Sequence, residues 1–227
     1  MAKRKKARVP APPKRVVQAP KAYHAPRDPR RTRVLFIGLG AVIVVAAAIA
    51  GIAMVASGGS EGIESSKLCT FQTFEDQGRS HVSKLPKNFA YNSTPPTSGP
   101  HYPAGPKAPA VWSVYSEPVD QLALVHNLEH GGMVIQYGSD VPQTTVQRLV
   151  DWYGNDPRGI VIAPLPDDLQ QKKPALAKQI AVTSWTHLMT CSGFDEGALD
   201  DFADTYRGPQ GDAPEKFPLD ALQPGGQ

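Results

Sequence analysis

Residues 120–132 read Asp120-Gln-Leu-Ala-Leu-Val-His126-Asn-Leu-Glu129-His130-Gly131-Gly132, and the fold turns on whether this stretch is helix or strand. As a helix, with Pro118 ahead of it and two glycines as its stop, it puts His126 and His130 one turn apart on one face. With Glu129 beside them, both imidazoles are then near enough to share a metal ion. As the first arm of a hairpin, Leu122, Leu124, His126, Leu128 and His130 share a face at period two. The two histidines then stand about 13 Å apart at ~3.3 Å per residue, and Glu129 points the other way. The pattern fits both readings, and only the helical one builds a site.

Downstream, Met133 to Tyr137, Ile160 to Ala163 and Ile180 to Trp185 are short and rich in Val, Ile and aromatics, as strands are. Thr144 to Gly154 spaces Val146, Leu149, Val150 and Tyr153 as an amphipathic helix does, and Phe194, Ala198, Leu199, Phe202 and Tyr206 mark another. These elements predict an α+β fold: one small domain with a short mixed or antiparallel sheet and two or three helices. Upstream, six prolines fall between residues 95 and 109, which excludes helix and central strand. They predict a stiff, extended surface loop presenting Thr97, Ser98, His101 and Tyr102. The domain runs from 67 to 207, which is long enough to bury a core. The four prolines and four glycines of residues 208–227 predict a flexible C-terminal tail.

The other end of the chain is of a different kind. Residues 34–56 hold no charge and no proline over 23 positions, more than the roughly 20 a helix needs to cross the hydrocarbon of a bilayer. Residues 1–33 form a basic, proline-rich tail with twelve Lys and Arg against the single carboxylate of Asp28, so the positive-inside bias predicts a cytoplasmic N-terminus and an extracytoplasmic domain after a short polar linker, 57–66. A cleaved signal ending near Val55-Ala-Ser57 is the competing reading, although 23 apolar residues are long for a signal core of ~7–15. Of 24 Lys+Arg and 21 Asp+Glu, twelve and one lie in the tail, which leaves twelve and twenty, a net of minus eight, for the rest. The basic residues lie apart from the folded part, in a stretch broken by proline and without interleaved aromatics. They therefore suit lipid headgroups and give no support to nucleic acid as a partner. The only two cysteines, Cys69 and Cys191, fall near the two ends of the domain, and an oxidising outer location predicts a disulfide between them.

The segments Pro-Pro-Thr-Ser-Gly-Pro-His-Tyr-Pro (95–103) and Val-His-Asn-Leu-Glu-His-Gly-Gly (125–132), with Gly78-Arg-Ser-His81 before them, resemble domain-of-unknown-function family 3105 over roughly residues 67–206. The resemblance implies a membrane-anchored or exported bacterial protein, in the cell envelope, and carries no mechanism. By position, the histidines inside these segments are His81, His101, His126 and His130, with Glu129 beside them.

His24 lies in the tail and His187 outside the matching segments, which leaves four histidines from three stretches of chain. Neutral imidazoles suit zinc and copper, so the first functional expectation is a metal site of His101, His126 and His130, completed by His81 or Glu129, that handles copper or zinc at the envelope. The ion is left open between the two. His187, Met189 and Cys191 would share a strand face with soft ligands for Cu(I), but such alternation in a sheet is the mark of packing. A second reading takes His126-x-x-Glu129-His130 as the H-x-x-E-H pattern of a zinc hydrolase with Glu129 as general base. A third is a non-enzymatic envelope protein that docks on a larger membrane complex, with Trp112, Trp152 and Trp185 as candidate anchors. No P-loop, dinucleotide fingerprint or nucleophile elbow is present. Nothing in the sequence sets an oligomeric state.

Overall fold

A computed structural model of the chain describes residues 66–227, all within one compact unit, Ala56–Gln227. The expected tail at 1–33, the span at 34–56 and nearly all of the linker lie outside the described residues. Among the described residues no helix is long and apolar enough to cross a membrane.

The decisive stretch is a helix, α1 (Gln121–Glu129). The Asp120 side chain opens it by accepting from the Leu122 amide at 2.9 Å, which satisfies one of the donors that a helix start leaves free. At its other end Gly131 adopts φ +90° and Gly132 lies against Trp112 and the Asn127 carbonyl, so closely that a Cβ there would stand 2.5 Å from the indole ring. The two glycines thus do different work: one turns the chain, the other lets it pass an aromatic ring.

Five strands form one mixed sheet, β1 (Cys69–Thr73), β2 (Met133–Tyr137), β3 (Ile160–Pro164), β4 (Ile180–Ser184) and β5 (His187–Cys191), in the order β1-β5-β4-β2-β3. Only β2 and β3 pair in parallel; the other neighbours are antiparallel. The parallel pair is bridged by α2 (Gln143–Tyr153), while α3 (Asp167–Lys172) and α4 (Glu196–Tyr206) follow β3 and β5. The α+β expectation therefore describes the fold, with a mixed sheet and, among the described residues, four α-helices rather than two or three. Nothing in the sequence marks β1, whose Thr and Gln interrupt its apolar run, whereas β5 is the strand on which His187, Met189 and Cys191 alternate.

Both faces of the sheet are covered. Met133, Ile135, Ile160, Ile162, Ile180 and Val182 pack on one side with Leu149 and Trp152 of α2 and Leu199 and Phe202 of α4. Val134 and Val161 face the other way, toward Leu124 and Leu128 of α1, Trp112 and Trp185. Burial on both faces is the reason that β2 and β3 read as nearly continuous apolar runs instead of alternating ones. All three tryptophans are buried, so they are core side chains and not surface anchors. At the sheet edge Cys69 stands opposite Cys191 in register and is disulfide-bonded to it.

Two loop expectations are corrected. Residues 95–101 are buried, with Thr97, Ser98 and His101 at 0 % exposure, and only residues 103–107 of the proline segment are exposed. Burial is tolerable there because a proline has no amide donor to leave unsatisfied, and the remaining polar groups find partners, as where the Thr97 carbonyl accepts from Thr186 N at 3.0 Å. The segment 208–227, expected as a loose tail, is tied down along its length. Gly208 N donates to Gly131 O, Glu215 N to Glu129 O, Phe217 N to His130 O and Gly225 N to Trp112 O. The prolines and glycines that suggested looseness serve a chain that must turn repeatedly while it caps the end of α1.

Candidate metal centre

Three backbone pieces converge on one point. Residues 80–82 run beside His101 as a short parallel bridge, with His101 N donating to Ser80 O at 3.0 Å and Val82 N to His101 O at 2.8 Å. This register brings the rings of His81 and His101 to 4.9 Å between centroids. Helix α1 supplies His126 and Glu129 from the same face. One ligand atom from each of His81, His101, His126 and Glu129 lies within 4.8 Å of all the others.

The polar contacts fix how the rings are turned. His101 Nδ1 lies 2.8 Å from the Gly99 carbonyl and His126 Nδ1 lies 2.6 Å from the Tyr102 carbonyl. A carbonyl oxygen only accepts, so in each ring the N–H is on Nδ1. In the neutral ring Nε2 then carries a bare lone pair. This is the orientation that backbone carbonyls impose on metal-ligating histidines. His101 Nε2 is 2.9 Å from Glu129 Oε2, and His81 Nε2 is 3.5 Å from the same oxygen. A lone pair facing a carboxylate oxygen at that distance needs a positive charge between them, either a proton or a cation. Donors around a tetrahedral zinc at 2.0–2.2 Å stand roughly 3.3 Å apart, and 2.9 and 3.5 Å bracket that spacing. His101 and Glu129 are shielded from solvent, whereas the side chain of His81 is 50 % exposed, so the cluster opens to water on one side.

Of the expected residues, the structure gathers His81, His101, His126 and Glu129. His130 stands outside that set: its Nε2 lies 3.1 Å from His126 Nε2 and 3.1 Å from Glu215 Oε2, and its ring stacks on Phe217 with 4.5 Å between centroids. Sequence spacing favoured His130 because i and i+4 share a helix face, while His81, distant in sequence, enters through a backbone pairing that no local pattern announces. Glu215 and Phe217 carry no local signal, because they lie in a segment whose prolines and glycines suggest a loose tail. Asn127 was missed too; buried at 0 % exposure, it clamps Ala110 through both backbone groups, at 2.9 and 2.8 Å, and so holds the proline segment on the helix. His187 is elsewhere, bonded to Asp212 at 2.7 Å and lying against the Tyr206 ring. Met189 and Cys191 are core residues, and Cys191 has no free thiolate.

Burial lowers His126, more than its bond to the Tyr102 carbonyl raises it. Burial, then the nearby His126, pushes His130 down to about 4. Burial works to raise Glu129, but the hydrogen bond from His101 and the charges of His101, His126 and His81 outweigh it and hold the carboxyl below its ordinary value. Glu215 is raised, by burial and then by Glu129. The metal-free protein is therefore expected to lose stability as pH falls from about 6.5 toward 4. In that window the unfolded chain takes up protons on two histidines that ordinarily titrate near 6.5, while the folded state refuses them. Below it, Glu129 adds a loss of the same sign. Glu215 acts in the opposite sense, but its side chain is 37 % exposed and solvent screens it. Thermal unfolding followed by circular dichroism across pH 4–8 with a chelator present checks this; a Tm that is flat or rises on acidification contradicts it.

A small α+β domain with an inward-turned histidine and glutamate cluster is the class of protein that fold and site define. The chain belongs to the family described as "Protein of unknown function (DUF3105)", which matches residues 81–218. That match covers well over half of the chain and takes in His81, His101, His126 and Glu129 together with Glu215 and Phe217. Comparison with curated proteins and with solved structures finds no match.

Proposed function

We propose that the protein is a single-pass, membrane-anchored envelope protein whose outer domain binds one borderline divalent ion, Cu(II) or Zn(II), through His81, His101, His126 and Glu129. The observation that carries this reading is the orientation of His101 and His126. Two buried rings are each committed at Nδ1 to a backbone carbonyl, which leaves Nε2 of both free of its own N–H: that of His101 faces the buried Glu129 carboxylate, and each ring offers an atom within 4.8 Å of the other cluster donors. Three imidazole nitrogens and a carboxylate oxygen suit either ion, and the Irving–Williams order favours copper where both are available. The half-exposed His81 gives the ion a route in and out, which suits handling of the metal more than permanent structural storage. The bound ion would supply charge for the four donors to share and, at a position left open toward solvent, Lewis acidity. The run of apolar residues at 34–56 and the twelve cations before it support the anchor and the outward-facing domain.

The hydrolase reading has less support, because the Glu129 carboxylate is itself among the donor atoms, 2.9 Å from His101 Nε2, and is not held back from them as a general base. The test is equilibrium dialysis of the full-length chain in detergent against buffered Zn(II) and Cu(II), with metal analysis of the retained protein. One ion per chain is expected; sub-stoichiometric binding of both ions ends the proposal.

A further inference from the structure

The His126 lone pair assigned above to an ion is already in contact with a donor. His126 Nε2 lies 3.1 Å from His130 Nε2, and because the His126 N–H is committed to the Tyr102 carbonyl, the hydrogen in this contact belongs to His130. The same His130 nitrogen lies 3.1 Å from Glu215 Oε2, and a carboxylate oxygen also accepts. The His130 N–H is thus directed at His126, a proposed ligand, while a second acceptor that is not one stands equally close to the same nitrogen.

We infer that His130 and Glu215 are positioning residues that free His126 for the metal. This rests on the metal reading above and deepens it. With no ion bound, the His130 N–H rests on His126; when an ion takes the His126 lone pair, a turn of the His130 ring brings the same N–H onto Glu215. No proton leaves His130, and His130 itself does not ligate. The C-terminal segment keeps both partners together: Glu215 N donates to Glu129 O at 3.2 Å, Phe217 N donates to His130 O at 3.1 Å, and the Phe217 ring stacks on His130 at 25°. The His130 side chain is only 13 % exposed, so without Glu215, ion binding would leave a mostly buried donor unpartnered, which is costly.

The test is Zn(II) affinity by chelator competition on the full-length chain in detergent, for wild type, Glu215→Ala, His130→Phe and the double variant. His130→Phe keeps an aromatic ring for Phe217 to stack on and removes the donor. Glu215→Ala is expected to weaken zinc about tenfold, and His130→Phe to bind at least as tightly as wild type. The double variant should match His130→Phe, since Glu215 has no task once the donor is gone. A loss of about 100-fold in His130→Phe would make His130 a ligand and overturn the inference, as would equal losses from Glu215→Ala in both backgrounds. Nitrogen-15 NMR of the metal-free, histidine-labelled chain gives an independent reading. His126 protonated at Nδ1 and His130 at Nε2 are expected, and the other tautomer at either ring overturns the inference. Failure of the metal reading looks different: wild type takes up no zinc, or His101→Ala binds as wild type does.

Discussion

Replacing His101 or His126 with alanine is expected to weaken Zn(II) binding by more than about 100-fold, since loss of a partner that merely orients a metal ligand already costs 10–100-fold. The consequence reaches stability. An ion that binds only the folded state adds about 2.7 kcal/mol at a concentration 100 times its Kd, which for a domain of this size raises Tm by roughly 5–10 °C. Wild type should show that rise on adding zinc, and both variants should lose it even where their metal-free Tm is itself lowered. Comparing each protein with and without metal separates ligand loss from the cavity that alanine leaves at His101, which is fully buried. A zinc-dependent rise that survives in both variants would place the ion elsewhere.

The second large effect concerns the disulfide. Cys69 and Cys191 close a loop of sequence separation 122, and in the chain-entropy model such a cross-link removes freedom from the unfolded chain amounting to about 4–5 kcal/mol. Replacing both cysteines with alanine is expected to lower the free energy of unfolding by about that amount, measured by urea titration with the metal state held constant. The bond ties β1 to β5 at the edge of the sheet, and among the described residues β1 pairs only with β5, so the same variant should expose the amides of 69–73 to hydrogen exchange ahead of the central strands. A loss below about 1 kcal/mol would show that the ladder hydrogen bonds and the packing of Phe71 against Phe202 and Tyr206 hold β1 without the cross-link.

Legibility in the sequence followed the range of the interactions. The strands β2, β3 and β4 and the helices α2 and α4 were readable because apolar periodicity within five to eleven residues reports directly which face is buried. The pairing of the two cysteines needed only their number and location. Strand β1 was not readable, because its place depends on pairing with β5 more than 110 residues away. Residues 208–227 were misjudged for a related reason: composition reports backbone freedom in isolation, whereas this segment is held by amide donors meeting the carbonyls that α1 leaves open at its C-terminal end.

By itself, the chain's sequence determined the chemistry available: four histidines and a glutamate inside three specific segments, an α+β core, two cysteines, and an apolar stretch behind a basic arm. Which of those side chains meet was decided by tertiary structure alone. Residues 120–130 suited a helix and a strand equally well, and what settled them was burial on all sides between a sheet face, the proline segment and the C-terminal strap. That His81 completes the cluster while His130 stands outside it has the same origin, since a ring is placed in space by the backbone that carries it, and the backbone at 80–82 is placed by hydrogen bonds to His101, which no local periodicity encodes.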